Sequence, residues 1–152
     1  NIFWLVFFTL ISFLILRPSA GGIHLPTYFL CLIASLIIFI FLGVISKLFY
    51  PDATQLISWI IGVTFFGLLM LHKYAPADTE TVPINDPVQR QKLKRKSIII
   101  LLIWSLIAII FTFNFTDYYQ LILASSLGIL TELIVLHPFF FYVVKNYLPE
   151  HD

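Results

Sequence analysis

Between residues 2 and 144 this chain reads as five apolar runs, roughly 2–16, 28–50, 55–72, 98–116 and 119–144. No motif constrains the fold as strongly. A helix that crosses a bilayer needs about 20 apolar residues, with about 17–25 tolerated. The second and fifth runs are long enough outright, the third and fourth sit near the lower limit, and the first is short. Lipid offers backbone N–H and C=O groups no hydrogen-bond partner, so the runs are read as helices rather than open strands. With 60% hydrophobic and 11% charged residues among 152, and a mean hydropathy of +0.97, a water-soluble domain could not cover so much apolar surface. The expected fold is an all-α integral membrane protein, a polytopic bundle of about five transmembrane helices forming a single domain over residues 1–152.

The ends of the runs carry the marks of a membrane interface. Tyr28, Tyr50, Trp59, Tyr74, Tyr118, Tyr119 and Tyr142 lie near them, as an aromatic belt would, while Trp104 does not fit that belt. The long polar segment, residues 73–97, is rich in proline and acidic residues and ends in "RQKLKRK", five cations in seven positions. Read as a loop, it is cytoplasmic by the positive-inside rule. Alternating the spans from there puts residues 17–27 and the C-terminus from Lys145 inside, and residues 51–54 and 117–118 outside. Arg17 and Lys145 agree with an assignment made without them. The chain opens on "NIFWLVFF", already apolar and without an initiator Met, so a preceding N-terminal portion is expected. A signal peptide fits poorly, because no basic segment precedes the apolar run and no A-x-A cleavage pattern follows it.

Chemistry concentrates in "RPSAGGIHLPTYFLC", residues 17–31. The single cysteine excludes an intrachain disulfide framework and a multi-cysteine zinc site. Were residues 24–31 all helical, His24 and Cys31 would lie about 10.5 Å apart along the axis, beyond bonding reach. Gly21 and Gly22 permit unusual backbone angles, and Pro26 pushes Leu25 out of the α region. Thr27 is a suitable N-cap, so the helix can begin near Tyr28 with Cys31 in or just after its first turn. A non-helical arm carrying His24 could then fold back over that end. A thiol at a helix start feels the positive end of the helix dipole, and a neighbouring imidazole can take its proton. Taken alone, such a pair is a weak signal: a lone cysteine on an apolar helix is commonly a packing residue.

Arg17, Gly21-Gly22-x-His24, Cys31 and Ser35, in that order, resemble the signature of the accessory gene regulator B (AgrB) family of membrane cysteine endopeptidases in Gram-positive quorum sensing. "YAPADTETVPI" at 74–84, followed by the basic run, is similar to that family's central loop, and "TELIVLHPFFF" at 131–141 to its last span. The resemblance implies an AgrD-like precursor peptide as substrate, with an amphipathic N-terminal helix, a central signal segment and an acidic tail. It assigns Cys31 as nucleophile on the bond between signal segment and tail, and His24 as general base and acid. An internal cysteine or serine of the substrate then displaces Cys31 and closes a thiolactone or lactone, giving an autoinducing peptide. It also implies a homodimer in the bacterial plasma membrane, with the site at the cytoplasmic face.

Several other residues carry both a functional and a purely structural reading. Arg17 could hold a substrate carboxylate or carbonyl, or order the 17–27 arm, or serve as a snorkelling anchor. Ser35, one turn beyond Cys31, could support the oxyanion or bond its own backbone. Arg90, Lys92, Lys94, Arg95 and Lys96 could attract the acidic tail, or set topology and touch anionic lipid. Glu132 lies inside the fifth run, where a charge costs about 2.5–3.5 kcal/mol or more, so it should face the bundle interior with a partner, either protonated and structural or orienting a polar group near the site. His137 is badly placed for that role, and Asn114 falls in the same intramembrane class. Asp78 or Glu80 could orient His24. His24, His72 and His137 show no metal-ligand spacing, so neither metal nor cofactor is expected, and no nucleic-acid partner. Two other functions compete: a small transporter or channel subunit lined by Glu132 and Asn114, and a non-catalytic scaffold docking a partner on its basic loop.

Overall fold

A computed structural model describes residues 1–22, 27–77 and 86–147. Their backbone forms α1 (Ile2–Ala20), α2 (Tyr28–Leu48), α3 (Ala53–Tyr74), α4 (Pro87–Asn114), a 3-10 turn (Thr116–Tyr118), α5 (Tyr119–Val135) and α6 (Pro138–Tyr147). Five of these stretches are long and apolar enough to cross a membrane: Ile2–Ala20, Phe29–Leu48, Ala53–Tyr74, Pro87–Asn114 and Thr116–Val135. At 1.5 Å per residue the 21 residues of α2 span about 30 Å, the thickness of a hydrocarbon core.

Three boundaries differ from the sequence expectation. The first helix runs past residue 16 to Ala20 with Pro18 inside it, so Arg17 belongs to α1 and not to a loose arm. Proline so close to a helix end forfeits a single backbone bond. The basic run is helical rather than loop: α4 starts at Pro87, with Asp86 as N-cap accepting from Val88 N at 2.9 Å. Proline suits the first helical position, and the Gln, Lys, Arg and Leu that follow are good helix formers. The fifth apolar run is broken after Val135, because Pro138 lacks an N–H and disfavours α geometry at His137. His137 then starts α6, its Nδ1 accepting from Phe139 N at 3.2 Å.

Helix α5 is the centre of the bundle and packs most extensively on α1. Their backbones nearly touch: a Cβ added to Gly128 would lie 2.1 Å from the Thr9 carbonyl oxygen. Small residues at a crossing let membrane helices approach this closely, and hydroxyls then join them. Thr9 Oγ1 reaches the Ala124 carbonyl at 3.1 Å, and Ser12 Oγ lies 2.7 Å from Ser125 Oγ. Trp104 donates to that same Ser125 at 2.7 Å, which explains why it stands apart from the interfacial belt: it ties α4 to α5. Trp59 does the same for α3, donating to Ser126 at 2.7 Å.

Helix α2 leans on α1 from outside and runs antiparallel to it. Gly43 faces Val6, and the rings of Phe39 and Phe13 meet at 5.1 Å. Most other large side chains of α2 face outward. The main apolar cluster gathers Leu16, Leu71, Leu101, Leu133 and Leu136, near the end where α1, α3 and α5 finish.

Candidate functional site

At that end α2 begins as its sequence suggests. Thr27 is extended (φ −121°, ψ 142°), and its hydroxyl accepts from Leu30 N at 3.2 Å. Cys31 N donates to the Thr27 carbonyl at 3.1 Å, closing the first turn. The thiol is free and half-buried, and Ser35, also half-buried, lies one turn further on. Continuing the antiparallel register of Gly43–Val6 and Phe39–Phe13 carries Cys31 level with the last turn of α1.

The other side of the site is the exit from α1. Gly21 N donates to the Arg17 carbonyl at 3.0 Å, and the chain then pairs in parallel with the exit from α3. Ala77 N donates to the Ala20 carbonyl at 2.9 Å, and Gly22 N to the Ala77 carbonyl at 3.2 Å. Gly21 takes φ 79° and ψ −158°, a region essentially reserved for glycine. A Cβ there would lie 2.0 Å from the Ala77 oxygen. The glycines take the unusual backbone angles expected of them, and the structure uses those angles to let two backbones pair. His24, Asp78 and Glu80 lie outside the described residues. The anchors on either side of His24, Gly22 and Thr27, lie within them.

Against Gly22 sits an ion pair. Arg17 Nη1 lies 3.2 Å from Glu132 Oε2, with the Arg17 side chain 17% exposed and Glu132 fully buried. The guanidinium also lies over the Phe13 ring, 5.5 Å from its centroid, and presses on Gly22, where a Cβ would come within 2.2 Å of Nη1. Among the described residues, Glu132 Oε1 is a buried side-chain oxygen without a hydrogen-bond partner. Glu132 thus has the interior partner its position demands. The pairing spans 115 residues; its sequence signal was that Glu132 is the only acidic residue within the apolar runs.

The basic run divides by helix face. Arg90 donates to the Pro76 carbonyl at 3.4 Å and Lys94 to the His72 carbonyl, so both hold the exit of α3. Lys92, Arg95 and Lys96 point outward and are exposed. The His137 ring meets Tyr74 at 5.4 Å, closing the same end. Asn114 is not an intramembrane interior residue: it ends α4 at the opposite end, exposed, and donates to the Ile110 carbonyl at 2.7 Å. Two apolar hollows, of about 370 and 320 Å³, flank α3 and α5, and neither Glu132 nor Asn114 lines them.

Fold and site together define a polytopic helical membrane protein with a thiol in the capped first turn of α2 and, at the same end, an exit from α1 whose glycines let it pair with the exit from α3. The family model for accessory gene regulator B matches residues 1–136. Accessory gene regulator protein B of Staphylococcus aureus strain Newman is 35% identical over 142 residues, covering 93% of this chain and 69% of the relative. The same-named protein of strain bovine RF122 / ET3-1 is 30% identical over 141 residues, covering 93% and 70%. No solved structure matches. The chain belongs to the accessory gene regulator B family, and membership ties it to the agr quorum-sensing system and to peptide processing.

Proposed function

We propose that this chain is a membrane cysteine endopeptidase that cuts an AgrD-like precursor on the C-terminal side of its signal segment and closes the released segment into a ring. The observation that carries the reading is Cys31 in the capped first turn of α2, level with the end of α1 from which the arm toward His24 departs. Family membership supplies the substrate class.

In this mechanism the Cys31 thiol gives its proton to His24, and the sulfur attacks the carbonyl carbon of the scissile peptide bond. The tetrahedral intermediate collapses with cleavage of the C–N bond. The departing amine of the acidic tail takes the proton back from His24. An acyl-thioester then joins signal segment and Cys31. The substrate's internal thiol or hydroxyl gives its proton to His24 and attacks that carbonyl; the expelled Cys31 sulfur takes the proton back, leaving a thiolactone or lactone. Thioester-to-thioester exchange is close to thermoneutral, so ring closure needs little driving force but must outrun hydrolysis. A dry site at the membrane face would slow hydrolysis, and holding both ends of one segment raises their effective concentration. Lys92, Arg95 and Lys96, exposed on one side of α4, are suited to draw in the acidic tail.

The channel reading finds little support, since Glu132 is bonded to Arg17 and Asn114 lies exposed at a helix end. The test is to incubate reconstituted protein with the AgrD-like precursor and weigh the products. Wild type releases the tail and a ring; Cys31→Ala and His24→Ala release neither. Full cleavage by Cys31→Ala would end the proposal.

A further inference from the structure

A charge inside a membrane span is expensive, and replacing a buried ion pair by apolar residues is often neutral or stabilising. The Arg17–Glu132 pair is therefore a poor device for holding α1 to α5, which the Thr9, Ser12 and Gly128 contacts already do. Its geometry suits another task. Arg17 Nη1 is held by Glu132 Oε2, and the guanidinium carbon lies over the Phe13 ring. The same Nη1 abuts the bare Cα of Gly22 so closely that any side chain there would displace it. Gly22 is held from its other side by its N–H bond to Ala77. Glu132 itself comes from α5, the most central helix, and is fully buried.

We propose that Glu132 is a positioning residue: it seats Arg17 against Gly22 and thereby sets the direction in which the backbone leaves α1 toward His24. This rests on the His24–Cys31 reading above. Glu132 touches no reacting atom. It acts through the guanidinium, which meets Glu132 and Gly22 through Nη1 while its carbon lies over the Phe13 ring; a lysine would serve equally well as a topology anchor but would not reproduce that placement. It also explains a glycine at 22, where the guanidinium occupies the space of a Cβ.

The experiment compares wild type, His24→Ala, Glu132→Gln and Glu132→Asp of the intact protein in lipid nanodiscs. It measures N-ethylmaleimide alkylation of Cys31 at fixed pH, kcat and KM for AgrD-like precursor cleavage, and the unfolding temperature. Misplacing a catalytic group by about 1 Å costs on the order of 100-fold, so Glu132→Gln should lower kcat about 10- to 100-fold with KM nearly unchanged. Its Cys31 should alkylate at close to the His24→Ala rate, and Glu132→Asp should recover part of both. Wild-type kcat and alkylation in Glu132→Gln overturn the proposal, as does a loss that follows the unfolding temperature without recovery in Glu132→Asp. If His24→Ala itself leaves alkylation and cleavage unchanged, the peptidase reading fails instead. Should Glu132→Gln not assemble, Arg17→Lys decides, because it keeps the charge balance and removes the planar guanidinium. A lowered kcat in folded protein supports the proposal, and a wild-type kcat overturns it.

Discussion

At the residue scale, the positions that matter are those where a side chain's absence does the work. Gly21 sits in a backbone region that other residues enter only at about 1–3 kcal/mol of strain, and its missing Cβ leaves room for the Ala77 carbonyl. Gly21→Ala should therefore break the pairing of Ala20 and Gly22 with Ala77. We expect it to lower precursor cleavage more than it lowers the unfolding temperature, measured on the same nanodisc preparation. Thr27, by contrast, acts through what it carries, a hydroxyl that caps α2. That cap was legible in advance, since capping depends on residues three apart in sequence. The role of Gly21 was only half legible: two adjacent glycines announce an unusual backbone but not the partner that requires it.

At the element scale, α5 is defined by the small residues on its crossing with α1. An alanine at Gly128 must push two helices apart, because the atom it meets is backbone. Overpacking of this kind costs about 1–3 kcal/mol, so Gly128→Ala should lower thermal stability measurably while leaving each helix intact by circular dichroism. Helix α4 makes a different point. Its basic residues resemble one cluster in sequence, yet a helix separates them into a face that holds α3 and a face that meets solvent. Neutralising Lys92, Arg95 and Lys96 together should raise the precursor's KM, with the difference shrinking at high salt. Arg90→Gln with Lys94→Gln should instead loosen the exit of α3 and lower the unfolding temperature. Equal effects from both sets would show that the faces do not divide the work. The break at Pro138 was readable from proline chemistry alone, but the length of the apolar run concealed it.

At the scale of the whole molecule, alternating helices bring the ends of α1, α3 and α5 and the starts of α2 and α4 to one side. This agrees with the alternation inferred from the charged segments, and it makes sidedness testable with the one thiol present. A membrane-impermeant maleimide should label Cys31 in inverted vesicles and not in right-side-out ones; labelling from the outer face alone would reverse the assignment. The number and kind of the spanning helices followed from sequence alone, because in lipid the backbone has no alternative to bonding itself, whereas the end of α1, the start of α4 and the end of α5 did not. What only the tertiary structure decided is which distant groups meet: Arg17 with Glu132, Gly22 with Ala77, Trp104 with Ser125. Those meetings depend on the rotation and depth of one helix relative to another. Both are set by the packing of whole faces, Gly128 on Thr9 foremost, and no local stretch of residues encodes them.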